Sequence, residues 1–145
     1  MINLNKFDKK DFNNESFVKK VIKPWGYEII FSPSDLPYAG KIIHINASKR
    51  LSLQLHDKKQ ESWYLLHGRG KVIWENSKGK LIETELAPEQ GYTCKIGQRH
   101  RLAGITDCDI LEVSTPEIGT TYRLEDDYKR LDETEQMRKE ERKNL

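Results

Sequence analysis

A chain of 145 residues, 33% charged and 36% hydrophobic, is long enough for one core and reads as a single soluble globular domain. Its net charge of +2 is too small to argue for nucleic acid, and no basic stripe carries interleaved aromatics. No apolar run approaches membrane-spanning length, the N-terminal MINLNKFDKKDF lacks the apolar core of a signal peptide, and the two cysteines, Cys94 and Cys108, have no C-x-x-C spacing. Free thiols in a reducing, cytoplasmic compartment are therefore expected.

Residues 1–20 mix Lys, Asp, Asn and Phe without a clean period, as an N-terminal arm that is either a short helix or a strap across a partner subunit. Lys23-Pro24-Trp25-Gly26 is a turn with an aromatic anchor, and Tyr27–Phe31 follows as a strand. The prolines of Ser32–Pro37 mark a loop. Lys41–Ala47 is a strand with Ile43 and Ile45 on one face. Leu51–His67, LSLQLHDKKQESWYLLH, then alternates Leu51, Leu53 and Leu55 with Ser52, Gln54, His56 and Lys58. That is a strand with one apolar and one chemically loaded face. Further strands are predicted at Trp63–His67, Lys71–Glu75, Lys80–Leu86, Tyr92–Ile96, His100–Ile105 and Ile110–Ser114, with turns such as Gly68-Arg69-Gly70 and Gly97-Gln98 between them. Many short strands without helical alternation predict an all-β barrel or sandwich. From Arg130 onward there is no Gly or Pro, and Glu135 stands four residues before Lys139, which predicts a short, exposed, fraying helix of no chemical role.

His56, Glu61 and the distant His100 are the raw material of a divalent metal site if the fold brings them together. Four pieces, KPWGYEII, RLSLQLH-xxxx-ESW, GQRHRL and LEDDYKR, make residues 21–130 resemble the cupin domain of the type II mannose-6-phosphate isomerases. That domain also forms the C-terminus of bifunctional mannose-1-phosphate guanylyltransferase/mannose-6-phosphate isomerases. The resemblance implies an all-β cupin jelly-roll barrel, here flanked by the arm 1–20 and a charged C-terminal helix or tail 131–145. It implies a lumenal divalent ion, zinc first, with Mn, Fe, Co or Ni as alternatives. His56, Glu61 and His100 match the motif's ligands, whereas Lys58 replaces its second histidine and Lys95 the proline of its second motif. A protonated lysine donates only and repels a dication; Gln54, on the face of His56, is the substitute fourth ligand that similarity to the type I mannose-6-phosphate isomerases, with Gln, His, Glu and His around zinc, implies.

Lys58 is then a substrate contact or proton mover, while Arg101, which matches the family's H-R, and Arg50 are candidate phosphate clamps. Trp63 shares the lumenal parity of Glu61, and His44 and His67 match no ligand position. The implied activity is interconversion of an aldose phosphate and a ketose phosphate, of the mannose 6-phosphate/fructose 6-phosphate type, in carbohydrate or polysaccharide precursor metabolism. A sugar-nucleotide epimerase or isomerase and a non-catalytic carbohydrate-binding or regulatory cupin are the alternatives. The expected partners are a phosphorylated sugar or sugar nucleotide and, as cupins commonly pair through their sheets, a second copy in a homodimer.

Overall fold

Alternation along the strands decides the architecture of this chain. In the computed structural model, which describes residues 1–143 and 145, the strands are β1 (Lys19–Lys23), β2 (Gly26–Ile30), β3 (Ala39–Ile45), β4 (Leu53–His56), β5 (Glu61–His67), β6 (Gly70–Glu75), β7 (Leu81–Glu85), β8 (Gly91–Cys94), β9 (His100–Gly104), β10 (Cys108–Ser114) and β11 (Thr121–Glu125). A 3-10 turn at Leu4–Lys6 precedes them and helix α1 (Glu135–Glu141) follows. The strands form two antiparallel sheets, ordered β1-β2-β3-β10-β5-β8 and β11-β4-β9-β6-β7, that face each other as a jelly roll. Among the described residues no helix is long and apolar enough to cross a membrane.

The inward faces carry a gradient. On β3 the buried side chains run Lys41, Ile43, Ile45, and on its antiparallel neighbour β10 they run Glu112, Ile110, Cys108 in register. On β5 the same face reads Glu61, Trp63, Leu65. One end of the barrel is therefore dry, filled by Trp25, Ile45, Val72, Leu86, Leu102, Cys108 and Ile110, and supplies the burial that holds the sheets together. The other end is polar. The turn that seats Trp25 requires Gly26, at φ 152°, because a Cβ there would stand 2.0 Å from the His44 carbonyl oxygen.

Two strands are additional to the predicted set. β1 (KKVIK) and β11 (TYRLE) are sheet edges in which few side chains are buried, so neither shows the alternation that marks a strand. The C-terminal helix forms, but it is not merely a solvated appendage. Arg138 is buried at 6% exposure, donating to the Glu117 carbonyl at 2.8 Å, and Lys23 pairs with Glu141 at 2.8 Å. α1 thus packs across the polar mouth of the barrel.

Candidate metal centre

β4 and β9 are neighbours in one sheet, with Gln54 opposite His100, and β5 faces them from the other sheet. That arrangement brings His56, Glu61 and His100 together. One ligand atom from each lies within 4.8 Å of the others, and all three residues are buried. Glu61 Oε1 is 2.9 Å from His100 Nε2 and 3.4 Å from His56 Nε2.

The far nitrogens fix the near ones. His100 Nδ1 is 2.9 Å from the Gln98 carbonyl oxygen, which only accepts, so Nδ1 carries a hydrogen. Burial lowers the pKa of this ring, but Cys94 and Glu61 outweigh it and raise it to about 10, so an ion bound at Nε2 would have to displace a proton. His56 Nδ1 is 2.9 Å from Thr121 Oγ1, its cross-strand partner on β11. Both Nε2 atoms are buried and, among the described residues, neither makes a well-aligned hydrogen bond; the one group they face is Glu61 Oε1. Buried polar atoms left without well-aligned partners carry a desolvation penalty, and two imidazole nitrogens and a carboxylate aimed at one point fit a divalent ion. Burial pushes His56 down to about 4, against the opposing pull of Glu61, so this ring stays neutral and able to ligate near pH 7.

The strand parity that makes Gln54 a candidate holds, since Gln54 lines the same cavity as His56. Its Oε1 accepts from Ser52 Oγ at 2.7 Å. Lys58 is placed differently from the sequence expectation. β4 ends at His56 and the chain bends through Asp57 and Lys58, so period two breaks and Lys58 is exposed. Lys59 goes inward instead, with Nζ 2.7 Å from Glu61 Oε2 and 3.0 Å from Glu112 Oε2.

Arg101 and Arg50 are likewise not in the metal cluster. Arg101 follows His100 on β9 and so points to the opposite face, where it is buried and donates to the carbonyls of Leu51 at 2.8 Å and Glu125 at 3.0 Å. Arg50 is exposed and forks onto Asp127 at 2.7 and 2.9 Å. Of the histidines without a motif match, His44 stacks on Tyr27 and bonds Asp109 at 2.7 Å, and His67 is exposed. Trp63 enters the lumen, donating to Glu112 at 3.2 Å.

Around the three candidate ligands lies a buried ionic network that strand parity could in part have disclosed. Lys41 shares the parity of Ile43 and Ile45, Glu112 that of Cys108 and Ile110, and Glu28 that of Ile30; a charge on an apolar face was the available signal. Lys41 Nζ lies 2.8 Å from Glu117, 3.1 Å from Glu28 and 3.5 Å from Glu112. Burial pushes Lys59 down, but Glu112 and Glu61 outweigh it and hold the ammonium above its ordinary range. Burial also raises Glu61, yet Lys59 and the two histidines hold it well below. Glu112 moves the other way: burial and then the Glu61 charge raise it. The cavity at this polar end measures about 50 Å³.

With this geometry in view, the sequence model of the family described as mannose-6-phosphate isomerase C-terminal matches residues 10–133. The chain belongs to this family. Among the solved structures that resemble this family member is an oxalate decarboxylase from Bacillus subtilis, determined at pH 4.6, at 18% identity and TM-score 0.66 over 81% of this chain and 34% of that one. Another study of the Bacillus subtilis enzyme, concerned with its Mn(II) centres, aligns at 16% identity and TM-score 0.65 over 81% and 34%. A Lactobacillus farciminis oxalate decarboxylase in a formate complex aligns at 17% and 0.66 over 81% and 38%. The chain spans 34–38% of the length of these structures, and at such identity the likeness is one of fold, a cupin. No curated protein matches it.

Proposed function

We propose that the chain is a metal-dependent cupin isomerase that interconverts an aldose phosphate and a ketose phosphate, of the mannose 6-phosphate/fructose 6-phosphate type. The observation that carries this reading is the buried convergence of His56, Glu61 and His100, with both imidazole Nε2 atoms turned toward one Glu61 oxygen. His56, Glu61 and His100 would hold the ion, with Gln54 as a fourth, oxygen ligand. Two imidazoles, a carboxylate and an amide oxygen suit zinc, and they accommodate manganese as well. The ion would act as a Lewis acid toward a substrate carbonyl oxygen.

Proton movement belongs to the chain. A base works best when its pKa is moved toward the working pH, and burial followed by the Glu61 charge moves Glu112 in that direction. The base therefore moves from Lys58, which is exposed, to Glu112. Lys59, kept protonated by its carboxylate neighbours, orients Glu112 and Glu61 rather than taking protons.

A coupled assay of mannose 6-phosphate against fructose 6-phosphate, run on protein with its metal content measured, tests the reading. Turnover that is lost on chelation, restored by zinc or manganese and abolished in Glu112→Gln supports it; stoichiometric metal without interconversion of any aldose and ketose phosphate sinks it. One observation favours a second reading, a non-catalytic carbohydrate-binding cupin. The cavity of about 50 Å³ is well below the roughly 300 Å³ at which small-molecule sites begin. Saturable sugar-phosphate binding without turnover in metal-loaded protein is its signature.

A further inference from the structure

Outside the barrel, against α1, lies a second and much larger cleft of about 460 Å³, a volume ordinary for a small-molecule site. Glu117 and Arg138 line both this cleft and the small lumenal cavity. Glu117 is the partition between them. Its Oε1 faces inward, 2.8 Å from Lys41 and 3.6 Å from Lys59, while its Oε2 pairs with Arg142 on the cleft side. Lys59 is in turn in contact with the metal ligand Glu61. One carboxylate thus separates the cleft from the metal site.

The cleft wall combines ring faces with cationic charge. Tyr38 is 51% exposed and Phe17 36%, both lining it. Lys139 and Glu135 also line it but pair with each other at 2.9 Å and cancel. Among the described residues Lys19 has no carboxylate partner, and its ammonium donates to the Arg142 carbonyl at 3.0 Å, with two further donors to give. Arg142 Nε is buried and has no hydrogen-bond partner among the described residues. Lys19 and Arg142 thus both line the cleft with donors unspent, and of its acidic lining residues Glu135 and Glu117 are paired with Lys139 and Arg142, leaving Asp35.

We propose that this cleft binds the phosphate monoester of a small polyol, with Arg142 and Lys19 holding the phosphate, Tyr38 stacking on the carbon skeleton, and Arg142 exchanging Glu117 for the ligand. The proposal locates the phosphate end of the substrate named above, and rests on that reading for the substrate's class. A guanidinium takes a phosphate through two parallel N–H donors, which the single Glu117 oxygen it now meets does not use. Release of Glu117 would open the partition toward Lys41 and Lys59 and admit the carbonyl end of the ligand to the lumen.

Calorimetric titration of the full chain with mannose 6-phosphate, mannose and inorganic phosphate tests this. Mannose 6-phosphate is expected to bind at least about tenfold more tightly than mannose, and Arg142→Gln and Lys19→Glu each to weaken it about tenfold or more. His100→Ala is expected to retain this binding, which separates the cleft from the metal site. Binding in His100→Ala therefore stands even if no isomerase turnover is found. Lys19 lies on an edge strand, so its variant keeps the test decisive if Arg142→Gln does not fold. Equal affinity for mannose and mannose 6-phosphate, or affinity unchanged in Lys19→Glu, overturns the proposal. Inorganic phosphate binding that survives Lys19→Glu would place the anion elsewhere and overturn it too.

Discussion

At the scale of residues, the neighbours Lys58 and Lys59 have opposite fates. Lys58 is exposed, whereas Lys59 sits at 6% exposure among Glu61, Glu112 and Glu117. Removing one member of a buried ionic cluster leaves the others uncompensated and costs about 3–5 kcal/mol, whereas an exposed side chain is worth within about 0.5 kcal/mol. Lys59→Met should therefore lower the urea midpoint strongly and Lys58→Met hardly at all; equal effects would mean the two are misplaced. His100→Ala removes a ligand outright, and since losing a supporting partner alone costs about 10–100-fold in metal affinity, a loss beyond about 100-fold is expected by competition titration. Of the candidate metal site, the convergence of His56, Glu61 and His100 was legible because their residue types and their match to a family motif sufficed. Lys59 was not, because the bend after His56 lies outside what alternation can express.

At the scale of elements, β9 shows how adjacent residues divide labour. His100 faces the lumen, and Arg101, on the other face, fastens β9 to the entry of β4 and the end of β11 through two backbone carbonyls. Charge-assisted hydrogen bonds of this kind are worth about 1.5–3 kcal/mol each. Arg101→Leu should thus destabilise the fold in chemical denaturation while leaving the affinity for mannose 6-phosphate unchanged. A selective loss of affinity with stability intact would return Arg101 to the phosphate-clamp role. Strands with a buried face were readable from their period. β1 and β11 were not, since edge strands that bury few side chains carry no such period, and yet β11 brings Thr121 to orient His56. The exposure expected of α1 failed for a related reason: a charged helix looks solvated until its partners are known, and here they are Glu117 and Glu133.

At the scale of the whole molecule, the charges concentrated at one end of the barrel couple stability to pH and to metal. Burial raises Glu117 and Glu133, but Lys41, Lys59 and Arg142 around the first, and Lys23, Arg138 and Arg123 around the second, hold both below their ordinary value of 4.5. Folded carboxyls that are more acidic than unfolded ones stabilise the protein above the unfolded value, and that stability is lost as pH falls. Thermal stability should accordingly decline as pH drops below about 5, and Glu117→Gln should flatten the decline; a flat profile in the parent protein would show the network is not ionised. A metal that binds only the folded chain adds about 2.7 kcal/mol at a hundredfold excess over its Kd. Chelation should lower Tm by roughly 5–10 °C, reversed by re-addition of zinc or manganese.

The sequence by itself determined the class of fold and most of its strands, because period-two burial is a local property of a chain. Through its resemblance to a family it named His56, Glu61 and His100 as candidate ligands, which the fold brings together. Tertiary structure alone decided that Lys59 rather than Lys58 enters the lumen, that Arg101 turns to the far face, and that α1 covers the barrel mouth. It also decided that Glu28, Lys41, Glu112 and Glu117 close around Lys59 and Glu61 in one network. Each of these depends on which strand ends where and what lies across from it, and a charged side chain in a sequence does not state whether its counter-charge will be water or a carboxylate from another sheet.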